Sequence, residues 1–176
     1  RLQLTDKLSL VTGIRRDYAH VERDDLRNGG QTDKTLTGNN GKAGLVYAIT
    51  PDTSIYGQYA TSTDGVGGLI SLSPGQQQFD LSTAKQTEIG IKQAFWNQRG
   101  EWTLAAYHIV KKKLLTDVPG DPDLKQQVGQ QSSRGLEASL ALQLPDAWQL
   151  QANAAIVHAQ YDDFKQDVGG VQVSRD

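Results

Sequence analysis

The chain has 176 residues, a formal net charge of −2, 37% hydrophobic and 22% charged residues, and no cysteine. Near-neutral charge without a basic stripe excludes nucleic acid as a partner, and the missing cysteines exclude a disulfide framework, a thiolate zinc site and a thiol nucleophile. No run approaches the roughly eighteen apolar residues of a membrane helix, in keeping with a mean hydropathy of −0.52, but a transmembrane β-barrel keeps its hydropathy low because only every second strand residue faces lipid.

The elements follow a repeat. Short polar turns fall at Thr5-Asp6-Lys7, Thr50-Pro51-Asp52-Thr53, Asn97-Gln98-Arg99-Gly100 and Pro145-Asp146-Ala147, and their markers Asp6, Asp52, Gln98 and Asp146 are 46, 46 and 48 residues apart. Alternating apolar and polar runs flank each turn, and a longer Gly-, Asp-, Gln- and Ser-rich connection separates one turn from the next. Short and long connections in alternation predict an up-and-down sheet with unlike ends, as in outer-membrane barrels with short periplasmic turns and long extracellular loops.

The opening Arg1-Leu2-Gln3-Leu4 already alternates, with no methionine and no signal segment before it, so the chain reads as an internal piece of a longer protein. The first full strand is predicted from Leu8 to about Arg23, with Leu8, Leu10, Thr12 and Ile14 on one face and Ser9, Val11, Gly13 and Arg15 on the other. Its upper half is charged, and 28–41 reads as a mobile loop rich in glycine and asparagine. Ala43, Leu45, Tyr47 and Ile49 share a face of the returning strand, and Ile55, Gly57 and Tyr59 do so beyond the Pro51-Asp52 turn. From Thr61 to Ala84 the composition predicts a long loop, a length usually tied to function or disorder.

Ile89, Ile91 and Phe95 then oppose Glu88, Gly90, Lys92 and Ala94, and Trp102, Leu104 and Ala106 begin a partner strand that turns polar at Lys111-Lys112-Lys113. A loop is expected over 117–122. Beyond it Leu136, Ala138, Leu140, Leu142 and Leu144 oppose Glu137, Ser139, Ala141 and Gln143, and Trp148, Leu150, Ala152, Ala154 and Ile156 oppose Gln149, Gln151, Asn153 and Ala155. Apolar outside and amide-rich inside is the patterning of a membrane barrel with a wet lumen. Trp96, Trp102 and Trp148 all lie beside short turns, where an interfacial aromatic girdle belongs.

Four segments in order resemble the TonB-dependent outer-membrane receptors of the siderophore-receptor branch. They are Asp6-Lys7-Leu8-Ser9-Leu10-Val11-Thr12-Gly13-Ile14-Arg15, Ser54-Ile55-Tyr56-Gly57-Gln58-Tyr59-Ala60-Thr61-Ser62, Gln86-Thr87-Glu88-Ile89-Gly90-Ile91-Lys92 and Ser133-Arg134-Gly135-Leu136-Glu137. Thr87, where the family commonly has tyrosine, and Arg16, where an aromatic is frequent, depart from the pattern. The resemblance implies an all-β, antiparallel up-and-down transmembrane β-barrel of 22 strands, of which residues 1–176 hold seven to eight, with the plug domain and the C-terminal strand outside this chain. It further implies a multi-pass protein of the Gram-negative outer membrane that imports ferric siderophores, with TonB acting through the plug, and with lipid and lipopolysaccharide around the wall.

Ligand contacts are expected from Arg23, Arg27, Gln78 and Phe79, since cationic, amide and aromatic groups at the upper strand ends and loops meet an anionic, oxygen-rich iron chelate. Lys111, Lys112 and Lys113 are candidates for lipopolysaccharide phosphates, and Glu88 and Glu137 are expected to pair with cations such as Lys92 or Arg134. His20, His108 and His158 show no ligand spacing, so no metal site is expected, and no cofactor. Gly65-Val66-Gly67-Gly68 lacks the strand and helix of a dinucleotide loop. No catalytic signature accompanies the Ser and His residues, so a protease or lipase barrel is disfavoured and the chain is expected not to be an enzyme. Porin or autotransporter barrels share the strand pattern, and a soluble β-propeller shares the repeat length but not the blade signatures.

Overall fold

The computed structural model describes residues 1–26, 29–64, 79–118, 121–163, 165–168 and 171–174. Strands β1 (Leu2–Gln3), β2 (Leu8–Asp25), β3 (Gly30–Ala48), β4 (Thr53–Asp64), β5 (Ser82–Phe95), β6 (Gly100–Val118), β7 (Asp121–Gln143) and β8 (Gln149–Asp163) form one sheet in sequence order, every neighbouring pair antiparallel. A separate hairpin follows, β9 (Lys165–Val168) with β10 (Val171–Ser174). This is the expected up-and-down meander.

All four predicted turns close hairpins at the same end of the sheet. Two begin on a threonine whose side chain does part of the turn's hydrogen bonding: Leu8 N donates to Thr5 Oγ1 at 3.1 Å, and Thr53 N donates to Thr50 Oγ1 at 3.0 Å. The other two run through left-handed backbone, with φ of 53° and 68° at Asn97 and Gln98 and of 57° and 61° at Asp146 and Ala147. Such a pair of central residues makes a primed turn, whose twist matches that of the strands it joins.

At the opposite end the strands run further than expected. The predicted loop over 28–41 is instead mostly strand: β3 begins at Gly30 and pairs with β2 without interruption from Asp25↔Gly30 to Leu8↔Tyr47. Its glycines and asparagines suggest a loop by local propensity, yet the ladder of the long β2–β3 hairpin overrides them. The long connection after Thr61 is likewise shorter, since β4 continues to Asp64 and β5 starts at Ser82. The loop expected over 117–122 contracts as well, with β6 reaching Val118 and β7 starting at Asp121.

The sheet is one layer thick. Among the described residues the buried apolar side chains are Leu36, Leu81 and Ala105, whereas Ile14 is 95% exposed, Ile156 76% and Ile89 62%. A water-soluble domain of this size would bury such residues in a core, so the apolar face is built for another apolar phase. No helix occurs among the described residues.

Register assembles that face. One row runs Leu10, Leu45, Gly57, Ile89, Ala106, Leu136 and Ile156 across β2 to β8, and the row beneath it Leu8, Tyr47, Ile55, Ile91, Leu104, Ala138 and Ala154. Because side chains alternate, Ser9, Val46, Tyr56, Gln58, Glu88, Tyr107, Glu137 and Asn153 fall on the other face. Trp96 and Trp148, 62% and 72% exposed, stand at the tight-turn end, and Trp102 lies just inside it with its indole N–H donating to Gln93 Oε1 at 3.0 Å. The expected girdle is present.

Candidate functional site

The polar face carries two regions of interest, one at mid-height and one at the end opposite the tight turns. At mid-height, register sets Tyr56 beside Gly90 and Tyr107 beside Gly135. Each glycine is a recess for its neighbour's ring: a Cβ on Gly90 would lie 2.6 Å from Tyr56 ring atoms, and one on Gly135 would lie 2.7 Å from the Tyr107 hydroxyl and from the Ile156 carbonyl. The Tyr56 ring lies over Gly90 and donates its hydroxyl proton to Glu88 Oε1 at 2.8 Å, while Gln86 Nε2 donates to Glu88 Oε2 at 2.9 Å. Two segments singled out in the sequence, around Glu88-Ile89-Gly90 and Gly135-Leu136-Glu137, therefore share one construction. The glycine admits a tyrosine from the preceding strand, and the carboxylate two residues away faces the same side.

The expected cation partners of these carboxylates are overturned. Lys92 Nζ pairs with Glu101 Oε2 at 2.8 Å instead of with Glu88. Arg134 cannot meet Glu137, because residues at odd spacing in a strand project to opposite faces and Arg134 stands on the apolar side. Among the described residues no ion pair holds Glu88 or Glu137. With Tyr56, Thr103 and Ser139 the two line one shallow depression of the polar face.

At the open end, alternation sets Arg23 and Lys34 on the polar face, where Lys34 pairs with Val21 in the register and Arg23 stands one row further out. Beyond Asp64 and Ser82 both β4 and β5 have ended, while β3 and the β6–β7 pair continue. Residues 79–81 occupy the notch this leaves. Leu81, 7% exposed, packs on Leu36, 3% exposed, with Ala19, Val21 and Phe79 around them. Lys34 Nζ donates to the Phe79 carbonyl. On the other flank Gln127 clasps the backbone of Asp80, accepting from its N–H at 3.1 Å and donating to its carbonyl at 2.6 Å, and also donates to the Lys113 carbonyl at 3.0 Å.

Of the four predicted ligand contacts, Arg23 and Phe79 thus come to the same end of the same face, with Lys34 between them. Arg27 and Gln78 lie outside the described residues. Lys34 was not singled out by the sequence; its signal was available, since it shares the period-two face of Leu36 in β3. Phe79 contributes a half-buried ring to packing and its backbone oxygen to Lys34.

The lysine run divides. Lys111 pairs with Asp64 at 3.1 Å and Lys113 with Asp80 at 3.7 Å, while Lys112 projects on the apolar side. Lys113 has φ of 58°, opposite Gly129 at 81°, and its turned carbonyl also accepts Ser82 Oγ at 2.9 Å.

On the outer side of β2–β3, His20 Nε2 lies 3.0 Å from Glu22 Oε1 and its Nδ1 lies 3.6 Å from Asp33 Oδ1. The three groups are near enough to hold an ion. Yet the two nitrogens have separate partners: Nε2 hydrogen-bonds Glu22 on its own strand and Nδ1 lies 3.3 Å from Thr35 Oγ1 directly across the ladder, which accounts for the arrangement.

Comparison with known proteins gives a consistent result. The family model "TonB dependent receptor-like, beta-barrel" matches residues 1–175. The metal-pseudopaline receptor CntO of Pseudomonas aeruginosa is 25% identical over 166 residues, covering 91% of this chain and 23% of that protein. The crystal structure of the siderophore receptor PiuA from Acinetobacter baumannii superposes with a TM-score of 0.79 at 22% identity, over 98% of this chain and 26% of that one. The closed form of the ferric-catecholate import receptor Fiu from E. coli K12 does so with a TM-score of 0.70 at 24% identity, over 93% and 27%. The chain spans about a quarter of the length of each.

Proposed function

The chain belongs to the TonB-dependent receptor family, as part of its β-barrel, and from that premise we propose that the protein it forms imports ferric siderophores across the outer membrane of a Gram-negative bacterium. Membership sets the sheet in that membrane, with its apolar face toward lipid and its polar face toward the lumen. The observation that carries the reading is the convergence of Arg23, Lys34 and Phe79 at the lumen end away from the tight turns, which is the extracellular end. Guanidinium and ammonium groups at the same end of the face as an aromatic ring suit an anionic iron chelate approaching from the medium.

We propose that the remaining parts of the machine belong to the longer protein, since the chain spans about a quarter of its relatives. A plug domain is proposed to fill the lumen and to receive energy from the TonB complex. Glu88 and Glu137, without cationic partners among the described residues, then offer fixed negative charge to the plug's surface. Transport chemistry of this kind breaks no covalent bond, and the family is one of receptors, not of enzymes.

The test is intrinsic tryptophan fluorescence of the full-length receptor in detergent, titrated with a panel of ferric siderophores and with cobalamin as comparator. Saturable quenching by one ferric chelate is expected, with Arg23→Ala weakening it about tenfold, as for a lost charge-assisted hydrogen bond. A folded receptor that answers to none of the chelates is a barrel for other cargo, and the porin or autotransporter reading takes its place.

A further inference from the structure

At its open end the single-layer wall overlaps itself. Register sets Thr63 opposite Thr83 and Thr83 opposite Lys112, on the face that is apolar lower down, and Leu81, two residues before Thr83, continues that face. Leu36 and Gly38 stand on the other face, opposite Ala19 and Asp17. Yet Leu81 packs on Leu36, and a Cβ on Gly38 would collide with Thr63 Oγ1. Side chains on opposite faces of one flat sheet cannot meet, so the polar face of the upper β2–β3 hairpin lies against the outer face of the β4–β5 end. The backbone allows it: among the described residues the β3–β4 ladder stops at Lys42↔Ala60, while β3 runs on to Gly30 and β4 to Asp64. Just above that point a side chain takes the ladder's place, Thr61 Oγ1 accepting from Gly41 N at 2.9 Å.

Side chains close this seam. Leu36, Leu81 and Phe79 pack there with Ala19 and Val21, Lys34 Nζ donates to the Phe79 carbonyl, and Asn40 Nδ2 donates to Thr63 Oγ1 at 3.0 Å. One group opposes closure: Asn40 Oδ1 is buried without a hydrogen-bond partner among the described residues. The amide cannot turn over to relieve it, because its nitrogen also donates to the Asp17 carboxylate. Opening the seam gives that oxygen water. On the far flank Gln127 and Lys113 hold Asp80 to β6 and β7, so residues 79–81 stay with those strands and β2–β3 is the part free to leave. We propose that the overlap is a latch: an anion that draws Lys34 off the Phe79 carbonyl releases the β2–β3 hairpin above Lys42, which swings away from β4 and widens the mouth of the lumen. An ammonium group binds an anionic oxygen more strongly than a carbonyl, so charge supplies the bias between two packed states.

The inference deepens the import reading and rests on it for the anion, a ferric chelate. The experiment uses the full-length receptor in detergent, with Leu81→Cys as its one reactive thiol, and measures the rate of labelling by a hydrophilic maleimide. Lys34→Met, which keeps the side chain's bulk and removes its donor, should raise that rate about tenfold without cargo, and Thr63→Val should raise it severalfold. Any ferric siderophore of the panel that saturably quenches tryptophan should raise the rate in the parent and add nothing in the Lys34→Met background. Ala105→Cys, equally buried but outside the overlap, should label at one slow rate throughout. Nitroxides at Thr35→Cys and Lys112→Cys, both on exposed positions, leave the packing intact should Leu81→Cys loosen it; their separation should lengthen with Lys34→Met and with the chelate. If no chelate quenches, the import reading fails and the two variants alone decide the latch. Unchanged labelling and an unchanged nitroxide distance in Lys34→Met, a bound chelate that moves neither, or an equal rise at Ala105→Cys would overturn the proposal.

Discussion

Gly90 and Gly135 have the same residue type and different tolerance. A methyl at Gly90 meets the far end of the Tyr56 side chain, which can swing aside at the expense of its hydrogen bond to Glu88. A methyl at Gly135 meets the Ile156 carbonyl oxygen, held in the β7–β8 ladder and unable to retreat. Gly135→Ala is therefore expected to destabilise by about 2–3 kcal/mol, in the range of overpacking, and Gly90→Ala by less, about 1.5 kcal/mol. Urea unfolding of the receptor in micelles measures both. In a Tyr56→Phe background, where the hydrogen bond is already gone, Gly90→Ala should cost distinctly less than alone; additive effects would refute the coupling. None of this was legible from Gly90 or Gly135 in isolation. The carboxylate and glycine on one face can be read by counting in twos, but the tyrosine that fills each recess comes from another strand, and only register supplies it. For the same reason the sequence paired Glu137 with Arg134, close in the chain and on opposite sides of the wall.

Among the elements, the tight turns differ in how well their residues suit their backbone. Asp146 tolerates left-handed φ, whereas Ala147 at 61° carries a Cβ crowded by the following carbonyl, a cost of about 1–2 kcal/mol. Glycine there loses about 0.5–1 kcal/mol through its freer unfolded chain. The balance predicts that Ala147→Gly stabilises the receptor by about 0.5–1 kcal/mol, read as a higher urea midpoint with unchanged slope. The hairpin ends at this side were predictable because turn chemistry is local and Thr, Pro, Asp and Asn announce it. The other ends were not. Outside the apolar band both faces of a strand are wet, alternation disappears, and a segment such as Gly30–Gly41 has the composition of a loop while hydrogen bonds to β2 make it a strand.

At the level of the molecule, one layer of sheet separates two environments, so a substitution's effect depends on which face it meets. Ile89→Arg, in the apolar face, is expected to destabilise folding into bilayers by about 2–4 kcal/mol, and Ser139→Arg, on the polar face, by little; equal costs would mean that the faces have been assigned wrongly. The strands also outrun the membrane. β7 has 23 residues and β6 has 19. At about 3.3 Å per residue and a tilt near 40°, β7 rises about 58 Å, against an apolar band about 25 Å tall. With the tight turns holding its lower end near the lipid surface, the excess stands outward as a rigid collar about as tall as the band itself. On the import reading proposed above, cargo would first be met beyond the headgroups, inside the thicket of surface sugars, by strands that their backbone ladders hold together. On the same reading an anionic chelate need never approach the phosphate layer that would repel it.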